Sequence, residues 1–132
     1  MDNDSVIHFE EGIIGVPRAR RFLLLEQPGS PVRVLRCLDL EGLNLPVVDP
    51  RLADPSYEPK LGPRVTDALE LREGDAALLL AVTSLEQSGA TANLKAPVVV
   101  NVRQRRAAQI ILDNPTYSLR TPVTVDGTTE TR

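Results

Sequence analysis

Ala76-Ala77-Leu78-Leu79-Leu80-Ala81-Val82-Thr83 is the stretch on which the fold turns. It is apolar from Ala76 to Val82, polar residues flank it, and it has the length of a strand rather than of a helix. It is the longest apolar run in the chain and falls far short of the roughly 18 to 20 residues a membrane helix needs. Downstream, Ser84 to Ala90 reads as a polar connection containing Gly89. Asn93 and Leu94 then lead into the β-branched run Pro97-Val98-Val99-Val100-Asn101-Val102, a second good strand. Arg103-Gln104-Arg105-Arg106 is a charged turn, and Ala107 to Leu112 pairs back as a hairpin ended by Asp113-Asn114-Pro115. Tyr117 to Val125 gives a last short strand. Upstream, Val65 to Leu71 is ambiguous between strand and helix and favours one or two helical turns before Glu73-Gly74-Asp75. Arg51 to Gly62, with Pro55 and Pro59, is too interrupted for a long helix. Asn44 to Val48 is a strand with Pro46 at an edge or bulge. Before it come strands over Val32 to Leu38, Phe22 to Leu25 and Val6 to Glu10, with Pro28-Gly29-Ser30-Pro31 as a turn.

Many short strands at this spacing, with at most one short helix, indicate an all-β fold: a small antiparallel β-barrel-like domain. The chain has 132 residues, enough for one core, so residues 1–125 are expected to form one domain and the polar, Thr-rich residues 126–132 a tail. Eleven prolines and eight glycines spread along the chain are the punctuation of a β domain. Aromatics are only 3%, so the core must be built from Leu, Val, Ile and Ala.

Composition also removes whole classes of chemistry. The formal net charge is −3, which argues against a protein held to nucleic acid by phosphate neutralisation and favours a basic protein partner. One cysteine, Cys37, permits no internal disulfide, and with one histidine, His8, a His/Cys zinc cage is excluded. The acidic start, Asp2 and Asp4, is unlike a secretory signal, and a cytoplasmic protein is expected. Gly12-Ile13-Ile14-Gly15 lacks the Lys-Ser/Thr of a phosphate loop and reads as a turn. Cys37 reads as a small core residue and His8 as an edge residue. No active site is composed by these residues: the expectation is a protein that is not an enzyme and uses no cofactor, metal or small-molecule substrate. The arginine clusters Arg18-Arg20-Arg21 and Arg103-Arg105-Arg106 carry the alternative reading, a β-barrel nucleic-acid-binding module, if they meet in space. Their other reading is solvated turns that guard neighbouring strands.

The segment Thr91-Ala92-Asn93-Leu94-Lys95-Ala96-Pro97-Val98-Val99-Val100-Asn101 is the most distinctive in the chain. Together with Gln109-Ile110-Ile111-Leu112 and Tyr117-Ser118-Leu119-Arg120-Thr121-Pro122-Val123, it resembles the flagellar assembly factor FliW family. Earlier blocks agree in order and spacing: Gly12 to Gly15, Arg21-Phe22-Leu23-Leu24-Leu25-Glu26, Val47-Val48-Asp49-Pro50 and Pro55-Ser56-Tyr57-Glu58. The resemblance implies a non-catalytic, cytoplasmic β-barrel-like protein with two protein partners. These are flagellin and the translational repressor CsrA, whose repression of flagellin synthesis it relieves; neither direct nucleic-acid nor membrane binding is implied. The family commonly carries aromatics where Val16 and Leu43 to Pro46 stand here; loss from a core is repacked by Leu, whereas loss from a surface weakens binding. Candidate partner-binding residues are the acids Asp49, Asp54 and Glu58, the tyrosines Tyr57 and Tyr117, and the polar residues Thr91, Asn93 and Asn101. The last three read first as residues that satisfy main-chain groups at a bend or bulge.

Overall fold

Alternation along each strand sorts the side chains before any strand is paired. In β1 (Ile7–Phe9), Ile7 and Phe9 are buried and His8 is exposed; in β3 (Arg33–Cys37), Leu35 and Cys37 are buried and Arg36 is exposed. The computed structural model describes residues 5–125, so the expected tail at 126–132 lies outside the described residues. Between β1 and β3 runs β2 (Arg21–Leu25), and β4 (Asn44–Val48) follows. A short 3-10 helix over Pro50–Leu52 and one helix, α1 (Pro63–Ala68), lead to β5 (Ala77–Glu86). The remaining strands are β6 (Gly89–Ala92), β7 (Val98–Asn101), β8 (Arg106–Gln109) and β9 (Thr121–Val123).

Seven of these strands close a barrel in the order β4-β3-β2-β1-β8-β7-β5, with β5 returning to β4 through Val47↔Val82 and Val48↔Ala81. Neighbours are antiparallel except β1 and β8, which run parallel through His8↔Arg106 and Phe9↔Ala107. No hairpin joins those two strands, so nothing local imposes the antiparallel sense on them. The barrel interior is filled, not hollow: Phe9, Phe22, Leu35, Val47, Leu80 and Val98 are fully buried within it. Phe9 meets Phe22 edge-on at 5.0 Å between ring centres. Val16, Leu43 and Leu45 pack against this same core.

A second core lies on the outside of the barrel wall. Val48, Tyr57, Ala81, Ala92 and Leu94 form its centre, with Leu112 and Val123 closing it. β5 is common to both: Leu78, Leu80 and Val82 belong with the interior, whereas Leu79 and Ala81 belong with the outer cluster. A strand covered on both faces has no polar face to show, which is why Leu78–Val82 is continuously apolar. Beyond Val82, β5 outruns the barrel and pairs with β6, and β6 pairs with β9. The polar connection expected over Ser84 to Ala90 is thus a hairpin: Ser84, Leu85 and Glu86 are exposed, and their main chain is paired through Leu85↔Ala90 and Glu86↔Gly89. Exposed polar side chains there hid a strand whose order comes from ladder bonds. The helical reading of Val65 to Leu71 corresponds to α1, which starts earlier, with Pro63 in its first turn.

One loop enters the upper mouth of the barrel. Residues 10–20 connect β1 to β2, with Ile13 and Ala19 buried and Gly12 and Gly15 both at positive φ. At Gly12 (φ +74°) a Cβ would overlap the carbonyl of Pro17, whereas at Gly15 (φ +85°) it would meet open space. Gly15→Ala is therefore expected to cost about 1 kcal/mol from backbone conformation alone, and Gly12→Ala clearly more. Urea denaturation of the two variants checks this; equal losses would show that the Pro17 contact is not a constraint.

Candidate protein-binding site

The 93–97 segment builds one wall of the site. The registers Thr83↔Ala92 and Leu80↔Val98 leave residues 93–97 opposite only residues 81–82, so the chain must loop out between β6 and β7. Asn93 shapes the loop: its Oδ1 accepts hydrogen bonds from the N–H groups of Lys95 (3.1 Å) and Ala96 (3.0 Å). Leu94 is thrown outward into the second core, where its carbonyl accepts a bond from the Tyr57 hydroxyl at 2.7 Å. Burial pushes the Tyr57 hydroxyl above its ordinary titration range, with Tyr117 and Asp54 adding to the shift, so it remains a donor. The Tyr117 ring stands edge-on to Tyr57 at 4.8 Å. The Lys95 ammonium donates to the Leu112 carbonyl (3.0 Å), and Gln109 clamps the other side, donating to the Ala96 carbonyl (3.1 Å) and accepting from the Ile14 N–H (3.0 Å).

These bonds bring the Ile13-Ile14 loop, the 93–97 segment and the chain after β8 around one groove of about 470 Å3 at the barrel mouth. Leu45 and Val82 form its floor, and Ile14, Ile111 and Leu119 its walls. The wall residues remain 46%, 63% and 60% exposed, an apolar concentration that a small domain does not need for its own core. Asn93, Lys95 and Gln109 are its polar rim. An apolar groove with a short polar rim can seat an apolar stretch of another protein.

The candidate residues divide between scaffold and surface. Asp49 caps the 3-10 helix by accepting from the Arg51 N–H (2.9 Å), and Asp54 holds its turn by accepting from the Ser56 N–H (3.0 Å). Tyr57 is only 1% exposed and Asn101 is fully buried. The Asn101 amide donates to the carbonyls of Leu69 (2.8 Å) and Glu70 (3.2 Å), and its oxygen accepts from the N–H groups of Arg103 (3.1 Å) and Gln104 (3.2 Å). Neither Tyr57 nor Asn101 offers a side chain to a partner in this structure, because every polar atom is engaged beneath the surface. Thr91 is half-buried on β6 opposite Pro122, Tyr117 is half-buried, and Glu58 is exposed. Glu58 and Tyr117 line a second groove of about 490 Å3 with Lys60 and Ile110. Tyr57, Asn93 and Tyr117 therefore lie around Leu94, with Asp54 near Tyr57, whereas Asn101 is the last residue of β7. Ile14, Ile111 and Leu119 were not among the candidates. The one trace of them in the sequence is an Ile-Ile pair beside glycines and a second Ile-Ile pair just before a proline turn.

The arginine clusters do meet. Arg20, Arg21 and Arg106 line a groove of about 580 Å3 on the outer face of β1 and β8, beside His8 and Asp39. One arginine of the first cluster and two of the second are paired with acids: Arg21 with Asp39 (2.9 Å), Arg106 with Glu70 (3.6 Å), and Arg103 with Asp75 (3.3 Å). Hydrogen bonds from the Arg20 and Arg21 N–H groups hold the Asp39 carboxyl below its usual range. The Arg72 N–H, followed by the Arg103 side chain, does the same for Asp75. Acids interleaved with the arginines in this way make a poor phosphate track. Among the described residues no group of three or more His, Cys, Asp or Glu side chains is placed to hold a metal, and no helix is long and apolar enough to cross a membrane.

A filled barrel with Ile14, Ile111 and Leu119 exposed together at one mouth defines the class: a small β-barrel domain that presents a surface groove. Comparison with known proteins sharpens this. The family model described as FliW protein matches residues 1–123, and the chain belongs to the FliW family. Proteins named flagellar assembly factor FliW are 31% identical over 126 residues in Caldanaerobacter subterraneus subsp. tengcongensis, covering 92% of this chain and 84% of the relative. The relative from Thermotoga maritima is 32% identical over 124 residues, covering 91% of this chain and 83% of its own. A crystal structure of the flagellar assembly factor FliW superimposes with a TM-score of 0.87 at 27% identity, covering 92% of this chain and 87% of the other. The family is one of assembly factors, not of enzymes.

Two predictions follow from the bonds above. Tyr57→Phe strands the buried Leu94 carbonyl and is expected to cost about 1–3 kcal/mol in denaturant unfolding; a loss below about 0.5 kcal/mol would show that the bond is dispensable. Asp39 and Asp75 have lowered folded pKa values, so their stabilisation is complete above the ordinary carboxylate pKa of about 3.9 and is lost as pH falls through the lowered values. Thermal melts from pH 6 down to pH 2 should show this loss, and Asp39→Asn should flatten it; an unchanged profile in that variant would contradict the assignment.

Proposed function

We propose that this protein is a flagellar assembly factor that works by binding proteins and catalyses no reaction. It holds flagellin, and it binds CsrA to relieve repression of flagellin synthesis, in the cytoplasm. Family membership supports the flagellar setting, and the names of the relatives supply it. The single observation that carries protein binding is the apolar groove at the barrel mouth, with Ile14, Ile111 and Leu119 exposed around it. Unassembled flagellin must keep apolar segments out of water until it enters a filament, and a groove of this kind covers such a segment. The acidic balance of the chain, −3, favours CsrA, an RNA-binding and hence basic partner. If flagellin and CsrA exclude one another on this protein, free flagellin sets the amount of CsrA left to repress, by reciprocal linkage.

Calorimetric titration with flagellin monomer and with CsrA from the same organism, followed by competition, tests the reading. Both are expected to bind, and each to displace the other. Ile111→Asp places a charge on the groove wall at a 63% exposed position, so it should leave stability within about 0.5 kcal/mol while weakening flagellin about tenfold or more. No complex with either protein at tens of micromolar would overturn the proposal.

A further inference from the structure

The direction of the main-chain groups identifies an open strand edge beside the groove. The Cys37 N–H donates to the Leu43 carbonyl. With the register Arg36↔Asn44, odd residues of β4 therefore address β3 and even residues address β5. The Asn93 N–H donates to the Val82 carbonyl, so even residues of β5 address β6, and Thr83 and Leu85 address the opposite side, where β4 runs. Pro46 is the even residue of β4 that would meet Thr83, and it has no N–H to give. The β4–β5 ladder stops at Val47↔Val82. That last pairing itself uses the Thr83 N–H, which donates to the Pro46 carbonyl, so beyond it Leu85 is the β5 residue whose N–H and C=O face, among the described residues, no registered strand, while β6 runs on the other side.

The edge of this sheet at β9 is guarded, and the one at Leu85 is not. On β9, Thr121 and Val123 pair with β6, which turns the imide nitrogen of Pro122 outward and blunts that edge. The edge of β5 carries no proline, Leu85 on it is 52% exposed, and Val82 at its root is part of the groove floor. We propose that the occupant of the groove is an extended segment of flagellin that adds as a strand to β5 at Leu85, alongside Ser84–Glu86. It drops alternate apolar side chains between Leu45, Val82 and Ile14. Unpaired N–H and C=O groups in strand geometry are complementary to another strand and to nothing else as well, and the adjoining apolar floor takes the side chains of one face. This inference rests on the flagellin-binding reading above.

Amide hydrogen exchange by NMR, on the free protein and on its complex saturated with flagellin monomer, tests it. The Leu85 amide, which points to the open edge, should exchange about tenfold or more slowly in the complex, whereas those of Ser84 and Glu86, already directed at β6, should change less than about threefold. Leu85→Pro removes the N–H and should weaken flagellin about tenfold, and Leu85→Ala, which keeps it, less than about threefold. A melt confirms that the proline variant folds; if it does not, the exchange of the unmodified protein decides alone. Flagellin bound tightly with an unprotected Leu85 amide overturns the strand addition and leaves the flagellin reading standing. Absence of any complex overturns both.

Discussion

The hydrogen bond from the Tyr57 hydroxyl to the Leu94 carbonyl, 2.7 Å long and buried, is the contact on which the arrangement depends. It fixes the point at which the chain leaves the barrel wall between β6 and β7. A barrel wall is normally covered by side chains within and by water outside. Here the outside of β4 and β5 is covered as well, and the cover must be tied down. Leu94 is pushed into that outer core and Tyr57 closes over it, with Asn93 holding the intervening turn. Losing the bond would leave a buried carbonyl unpaired, which is why a phenylalanine of nearly the same shape is no substitute.

The same tie produces the groove. Once Leu94 points outward, Lys95 and Ala96 pass over the barrel mouth, where Gln109 joins them to the Ile13-Ile14 loop. Apolar residues that would fill the core of a simpler barrel are then left on the rim. The cost of exposing Ile14, Ile111 and Leu119 is offset if a partner covers them, which connects the fold to a binding role. The β4–β5 ladder also ends at the same mouth, beside Leu85. Shape and main-chain chemistry thus coincide at one place on the surface.

Much of the barrel was legible because local pattern and tertiary role agree. Ala76–Val82 reads as a buried strand, and Val98–Asn101 reads as another, from residue type alone. The extension of β5 to Glu86 was not legible, because Ser84 and Glu86 look like a loop when their ladder partner is unseen. The site was less legible still. Exposed Ile14 and Ile111 cannot be told from buried isoleucines by sequence, and they meet Leu119 only after the barrel closes. The arginine clusters could be seen, but their neutralising partners Asp39, Glu70 and Asp75 come from other elements. Asn93 and Asn101 were visible as polar residues around a strand, with both a binding and a structural role open. The structure shows what their hydrogen bonds do: each holds a turn.

The central claim is that partner binding occurs at the barrel mouth built around Leu94, and methyl NMR measures it most directly. Isotope-labelled isoleucine, leucine and valine methyl groups would be followed as flagellin monomer is added. The account predicts that the shifts concentrate on Ile14, Val82, Ile111 and Leu119. Shifts concentrated instead on Leu69 and the residues around the outer groove of His8, Arg20 and Arg106 would contradict it.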